Sequence, residues 1–172
     1  MKKSSRGFSL IELLIVVAII LIIAAIAIPN LLRSRIAANQ ASAVGSLRTL
    51  NTAEVTYATT YNTGYSSALG ALGPPAAGTN PVATAAGLVD EVLSGMNTSG
   101  GSSATQSSKS GYTFTYSPGV TDLTGRYNTY QLYAAPISPG TTGTNFYFTD
   151  QSGVIRQNST ALAQSSDSPL AG

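Results

Sequence analysis

The most constraining feature of this sequence is the apolar run FSLIELLIVVAIILIIAAIAIP from Phe8 to Pro29, in which Glu12 is the one charged residue. An α-helix rises about 1.5 Å per residue, so residues 10–28 would extend about 28 Å, close to the thickness of the hydrocarbon core of a bilayer. The run therefore predicts a helix that spans a membrane.

Glu12 is the residue that membrane insertion alone does not explain. A carboxylate at the centre of such a helix costs about 2.5 to 3.5 kcal/mol, and less near an end. No cation lies on the same helical face nearby, and Ser9, three residues earlier, would offer only a hydroxyl. We expect Glu12 to pair with a group from outside the helix or to stay protonated. The simpler alternative is that it is hydrated at the depth of the lipid headgroups.

The residues around this run resemble the N-terminal signal and helix of type IV pilins and of the related pseudopilins. The resemblance is carried by Arg6, Gly7 and Phe8, by the following SLIELLIVVAII and by AAIAIP. It is close over roughly residues 1–35 and general beyond them. It implies that residues 1–7 are a leader peptide and that prepilin peptidase cleaves between Gly7 and Phe8 on the cytoplasmic side. The same enzyme would methylate the new N-terminus at Phe8.

The resemblance also places Glu12 at the fifth residue of the mature chain, where the family has a glutamate. After cleavage, the amine of Phe8 in a neighbouring subunit, shifted axially by a few residues, would lie beside Glu12. Two charges about 4 Å apart attract by several kcal/mol at intermediate dielectric, although desolvation offsets much of this. Since an apolar bundle tolerates many axial offsets and the ion pair only one, we expect Glu12 to fix the register of the packed helices.

Two positions bear on the shape of this helix. Pro29 removes the hydrogen bond to the carbonyl of Ala25, which predicts a kink or a short unwound turn. Many pilins have a glycine midway through the run, where this chain has Leu21. In the family the helix between these two positions tends to unwind in the filament, so the extent of any unwinding here is open.

Composition excludes several classes of chemistry. The chain of 172 residues has no cysteine and no histidine, which excludes disulfides, thiol chemistry and histidine-based metal sites or catalysis. Its acidic residues are scattered, and no serine has an activating base in its neighbourhood, so we expect no enzymatic activity, cofactor or metal. Of nine basic and seven acidic residues, Lys2, Lys3 and Arg6 belong to the leader. The basic character is therefore no evidence for nucleic-acid binding.

Beyond Pro29 the pattern becomes amphipathic, which predicts that one long helix continues from Phe8 to Tyr61. Residues 30–62 form its amphipathic half, and the turn residues from Asn62 to Gly64 end it. The apolar stripe that we expect to face a globular core consists of Ile36, Val44, Leu47, Leu50, Tyr57 and Tyr61.

The rest of the chain predicts a small antiparallel sheet. Residues 63–111 are rich in Gly, Pro, Ser and Ala and are interpreted as a loop region, with two turns of helix over 86–93 and a surface loop over 97–110. Residues 112–158 alternate in polarity and predict strands over 112–116, 127–134, 145–149 and 154–157. Residues 159–172 are expected to be a poorly ordered tail. The fold class is thus α+β, with a long N-terminal helix, transmembrane half plus amphipathic half, packed on three or four antiparallel strands in a type IV pilin-like layout.

These features favour a structural subunit of a type IV pilus. Its expected partners are further copies of itself in a helical homopolymer, prepilin peptidase, the pilus assembly platform and, before assembly, the bacterial inner membrane. The assembled subunit would be extracellular, on the cell surface. One alternative is a type II secretion pseudopilin or a minor pilin. The other is an exported domain with an ordinary signal or anchor, since residues 25–27, Ala-Ile-Ala, imitate a signal-peptidase site.

Overall fold

The computed structural model describes residues 8–98 and 100–170. The chain divides into two compact units, Met1–Arg35 and Ile36–Gly172.

Helix α1 covers Leu10–Tyr61, 52 residues, and begins two residues later than the sequence predicts. It is assigned as helix without interruption across Pro29, so the unwound turn expected there is absent, and a kink at Pro29 stays a prediction. Among the described residues α1 is the one helix that is long and apolar enough to cross a membrane. The helix ends where turn chemistry predicts, since Asn62 and Gly64 both have positive φ angles, 51° and 80°.

The core of the second unit forms between the last part of α1 and a sheet. Leu47, Leu50 and Tyr57 are buried as the helical spacing predicts, whereas Ile36, Val44 and Tyr61 are only partly buried. The sheet has five strands rather than three or four, in the order β1-β2-β3-β4-β5 with every neighbouring pair antiparallel. The strands are β1 (Gln106–Lys109), β2 (Tyr112–Pro118), β3 (Tyr130–Pro136), β4 (Phe146–Asp150) and β5 (Arg156–Asn158).

The face of the sheet that meets the core is set by strand alternation. Tyr112, Phe114 and Tyr116 of β2 are all buried, so the alternation predicted over 112–116 places these three side chains on the core face. In β4 the core cluster takes in Tyr147. Phe148 points to the opposite face, where its ring lies 5.3 Å from that of Tyr133.

The loop region between α1 and the sheet has its helical turns at other residues than predicted. Two of them are 3-10 turns, Leu69–Leu72 and Gly101–Ser103. In place of two turns over 86–93 there is the single turn α2 (Glu91–Ser94). The Asp90 carboxylate caps it by accepting the Leu93 N–H at 2.8 Å, and Gly95, with φ of 72°, ends it. The surface loop expected over 97–110 is partly wrong, because its last residues form β1.

The C-terminal segment is not the poorly ordered tail that its polarity suggests. Ala163 is fully buried, and the N–H of Leu170 donates to the carbonyl of Ile155 at 2.7 Å. The N–H of Gln157 donates to Ser168 at 3.1 Å, so residues 168–170 lie along the outer edge of β5. Backbone pairing and one small buried side chain therefore hold a segment that has little apolar character.

Candidate assembly site

The candidate site is the apolar surface of α1 in the first unit. From Phe8 to Leu32 every large apolar side chain is exposed, from 43% for Leu32 to 80% for Leu10. Isolated exposed apolar residues are ordinary, but a continuous surface of this kind marks a region that contacts lipid or other protein. Because α1 has helical geometry here, Leu10, Leu13, Leu14, Val17, Ala18 and Leu21 line one shallow apolar groove.

Glu12 lies in the first turn of α1, on this exposed surface. Its Oε2 accepts a hydrogen bond from the backbone N–H of Ser9 at 3.0 Å, and the Ser9 carbonyl accepts from Leu13 N–H at 3.2 Å. Ser9 is thus the residue that precedes the helix, and Glu12 reaches back to it as in a capping box. The expectation that Ser9 offers only its hydroxyl is wrong. The Ser-x-x-Glu spacing was the signal for this cap, which sequence reasoning missed.

The other residues of the predicted site fall as follows. Phe8 is 75% exposed and directly precedes Ser9. Gly7 and the rest of the predicted leader, residues 1–7, lie outside the described residues. Pro29 and Leu21 both lie within α1, and Leu21 is one of the exposed residues that line the groove.

Two acidic residues of the second unit, Asp122 and Asp90, are held by local hydrogen bonds. The Asp122 carboxylate accepts hydrogen bonds from the Thr124 hydroxyl, the Arg126 N–H and the Asn128 amide at 2.6, 3.0 and 3.0 Å, and these lower its pKa. Burial raises the pKa of Asp90, but its bonds to Lys109 and the Leu93 N–H outweigh that and lower it. Within residues 8–98 and 100–170 no three His, Cys, Asp or Glu side chains come together as a metal would require.

Glu54 is a buried acid that the sequence reading missed. It is fully buried in the second unit, where its two oxygens accept the Ser66 N–H at 2.9 Å and the Ser66 hydroxyl at 2.6 Å. Tyr116 donates its hydroxyl to the Ser66 carbonyl at 2.7 Å. Glu54 therefore ties the end of α1 to the returning chain and to β2. The signal was its position on the apolar stripe, four residues after Leu50 and three before Tyr57.

The environment of Glu54 favours its neutral form. Burial raises the pKa of its carboxyl, and the hydrogen bonds from Ser66 only partly oppose this. Burial together with the nearby Glu54 raises the pKa of Tyr116 and of Tyr130 as well. A neutral acid that is hydrogen-bonded to Ser66 and surrounded by tyrosine hydroxyls is a structural element of the core.

Fold and surface together define a class of protein: an α+β chain whose exposed apolar N-terminal helix can lie in a membrane or pack in a bundle. Comparison with known families narrows this class. Residues 2–28 match the model of the prokaryotic N-terminal methylation motif. The motif, together with the two relatives described next, supports the assignment of this chain to the type IV pilin family. This confirms the resemblance inferred from residues 6–29.

Two curated relatives are type IV pilus proteins. The chain is 51% identical over 53 residues to a type IV major pilin of Myxococcus xanthus, which is 31% of this chain and 24% of that protein. It is 62% identical over 37 residues to a type IV wide pilus major component of Thermus thermophilus, which is 22% of this chain and 28% of that protein. The matches thus span about a quarter of each relative's length. No solved structure matches the chain.

Proposed function

We propose that this protein is a non-enzymatic structural subunit of a type IV pilus that assembles through its N-terminal helix. The observation that carries the proposal is the exposed apolar surface from Phe8 to Leu32, with Glu12 in the first turn of α1. Such a surface has two stable environments, the lipid of a membrane and a bundle of like helices. The match of residues 2–28 to the prokaryotic N-terminal methylation motif supports the proposal that the helix occupies these two environments in turn.

Processing would prepare the helix for assembly. Prepilin peptidase would cleave between Gly7 and Phe8 in the inner membrane and methylate the amine of Phe8. The assembly platform would then move each helix from the membrane into the base of a growing filament, and the finished pilus would lie outside the cell.

Glu12 would set the register of the filament core. Its Oε2 caps the helix through Ser9, and the carboxylate can still accept a hydrogen bond from the Phe8 amine of a neighbour because each carboxylate oxygen has two lone pairs. The charged pair is stabilised by the apolar surroundings only when its geometry is good, so it selects one axial offset.

The processing step is tested on filaments sheared from the cell surface. We expect this chain to be their main component and to begin at N-methylated Phe8, as determined by mass spectrometry. A main component that begins after Ala27 would favour the exported domain with an ordinary signal. A correctly processed chain found only in short periplasmic filaments would favour the pseudopilin.

The role of Glu12 is tested by Glu12→Ala, with Glu91→Ala as the control. Glu91 is an exposed acid in the one-turn helix α2, so its removal changes the net charge equally. We expect Glu12→Ala to abolish surface filaments while the chain still inserts in the membrane, and Glu91→Ala to assemble normally. Normal filaments from Glu12→Ala would show that the ion pair is not needed.

A further inference from the structure

The exposed charges of α1 are spaced like the two surfaces of a bilayer. From Glu12 to Arg33 the helix is continuous, and 21 residues at 1.5 Å each give about 32 Å. The hydrocarbon core of a bilayer is about 30 Å thick. No charged residue lies between these two positions. The continuity of α1 across Pro29 is necessary here, because an unwound turn would lengthen the segment.

Arg33 and Arg35 are exposed and have no acidic neighbour along α1. No Asp or Glu occurs between Leu13 and Ala53. In the described part of the chain the only ion pair is Lys109 with Asp90. Two guanidinium groups at the end of an apolar helix, paired with no described carboxylate, can therefore bind anionic groups from outside the subunit.

The positions of the two arginines on the helix favour one kind of anion source. Residues two apart in a helix are separated by about 200° of rotation and do not face each other. One neighbouring helix could therefore contact Arg33 or Arg35 but not both. A layer of lipid headgroups surrounds the helix and reaches both, and long arginine side chains extend readily into such a layer.

We propose that Arg33 and Arg35 bind the phosphate groups of phospholipids in the leaflet opposite the leader, and that this binding fixes the depth of α1 before assembly. Guanidinium groups form paired hydrogen bonds with phosphate oxygens, which a simple apolar anchor does not. The inference rests on the membrane stage of the proposed function. Assembly then has to remove both arginines from the headgroups, so the site holds the subunit in the membrane until it is assembled.

The test uses the full chain with carbon-13 at the arginine guanidinium carbons, reconstituted in phosphatidylethanolamine and phosphatidylglycerol vesicles in phosphate-free buffer. Rotational-echo double-resonance NMR measures how strongly lipid phosphorus dephases the arginine signal. We expect strong dephasing that drops in Arg33→Gln/Arg35→Gln and drops by about half as much in each single variant. Arg48→Gln, which removes an exposed arginine of the same helix in the second unit, should leave the dephasing unchanged.

Vesicle flotation and resistance to alkaline extraction separate the two ways in which this idea can fail. If the wild-type chain inserts but the double variant dephases as strongly as the wild type, the phosphate site is refuted and the proposed function stands. If the wild-type chain does not insert, both are refuted. In a third outcome, these arginines contact carboxylates of a second copy of the chain. Lipid phosphorus would then dephase only the Arg6 signal of the wild type, and this result would also refute the lipid site.

Discussion

Glu54 links the end of α1, the chain at Ser66 and strand β2, but it does so with a buried carboxyl, which is costly to ionise. Its carboxyl is buried and pairs with no cation among the described residues. It accepts two hydrogen bonds, both from Ser66. An ionised carboxylate without a cation is expensive in a protein interior, so the folded state prefers the neutral acid. The groups that face it are Tyr57, Tyr116 and Tyr130, whose pKa values are all raised. None of them titrates near neutral pH.

The sign of the resulting pH dependence follows from the raised pKa of Glu54. Because the folded state holds this proton more tightly than the unfolded state, the stabilisation is complete below the ordinary value of 4.5 and is lost as pH rises through the raised pKa. We expect the free energy of unfolding of the wild type to fall with pH relative to Glu54→Gln, by at most about 1.4 kcal/mol per pH unit.

Chemical denaturation of both chains in detergent from pH 4 to 8, followed by tyrosine near-UV circular dichroism, measures this difference. The side-chain amide of Glu54→Gln is neutral throughout this pH range, so this variant is the reference for the wild type. Parallel stability profiles would mean that folding leaves the pKa of Glu54 unchanged and would contradict the raised value.

Tyr116 makes a second prediction at the same site. Tyr116→Phe removes the donor to the buried Ser66 carbonyl, and an unpaired buried acceptor costs about 1 to 3 kcal/mol. Tyr133→Phe is the matched control, because the Tyr133 hydroxyl bonds Gln131 at the surface and should change stability by less than about 0.5 kcal/mol. Equal losses in the two variants, measured by thermal unfolding, would contradict the buried network.

At the scale of elements, the sequence predicts the helices and strands that have a clear apolar pattern or end at turn residues. The alternation of side chains in β2 and the end of α1 after Tyr61 could both be predicted. Strand β1 could not be predicted, because its sequence Gln-Ser-Ser-Lys has little strand propensity and it forms by pairing along its length with β2. Glu54 was missed because an acid on an apolar stripe is interpreted as a surface residue unless its partners are known.

The C-terminal segment gives the prediction for an element. In the wild type, hydrogen exchange of the Gln157 amide should be slow because it donates to Ser168. Removing residues 164–172 should speed its exchange, since it deletes this acceptor and exposes the edge of β5. The amide of Leu132 in the central strand β3 is the internal control and should stay protected. Unchanged exchange at Gln157 would show that the segment does not cover β5.

At the scale of the whole molecule, the two compact units differ in what they can do alone. The apolar exposed side chains suited to association lie in Met1–Arg35, whereas the buried core of helix end and sheet lies in Ile36–Gly172. Association and folding therefore depend on different parts of the sequence. This separation is what a subunit needs if it is to exchange lipid for neighbouring helices without unfolding.

The separation predicts the behaviour of a fragment of residues 36–172. We expect it to fold with the five-stranded sheet, because the buried cluster from Ala43 to Ile155 is complete within it. It should also stay monomeric in analytical ultracentrifugation without detergent and form no filaments, since it lacks the apolar surface from Phe8 to Leu32. The full chain in the same buffer, which should need detergent to remain dispersed, is the comparison. A fragment that still forms filaments would move the assembly surface from the helix to the globular unit.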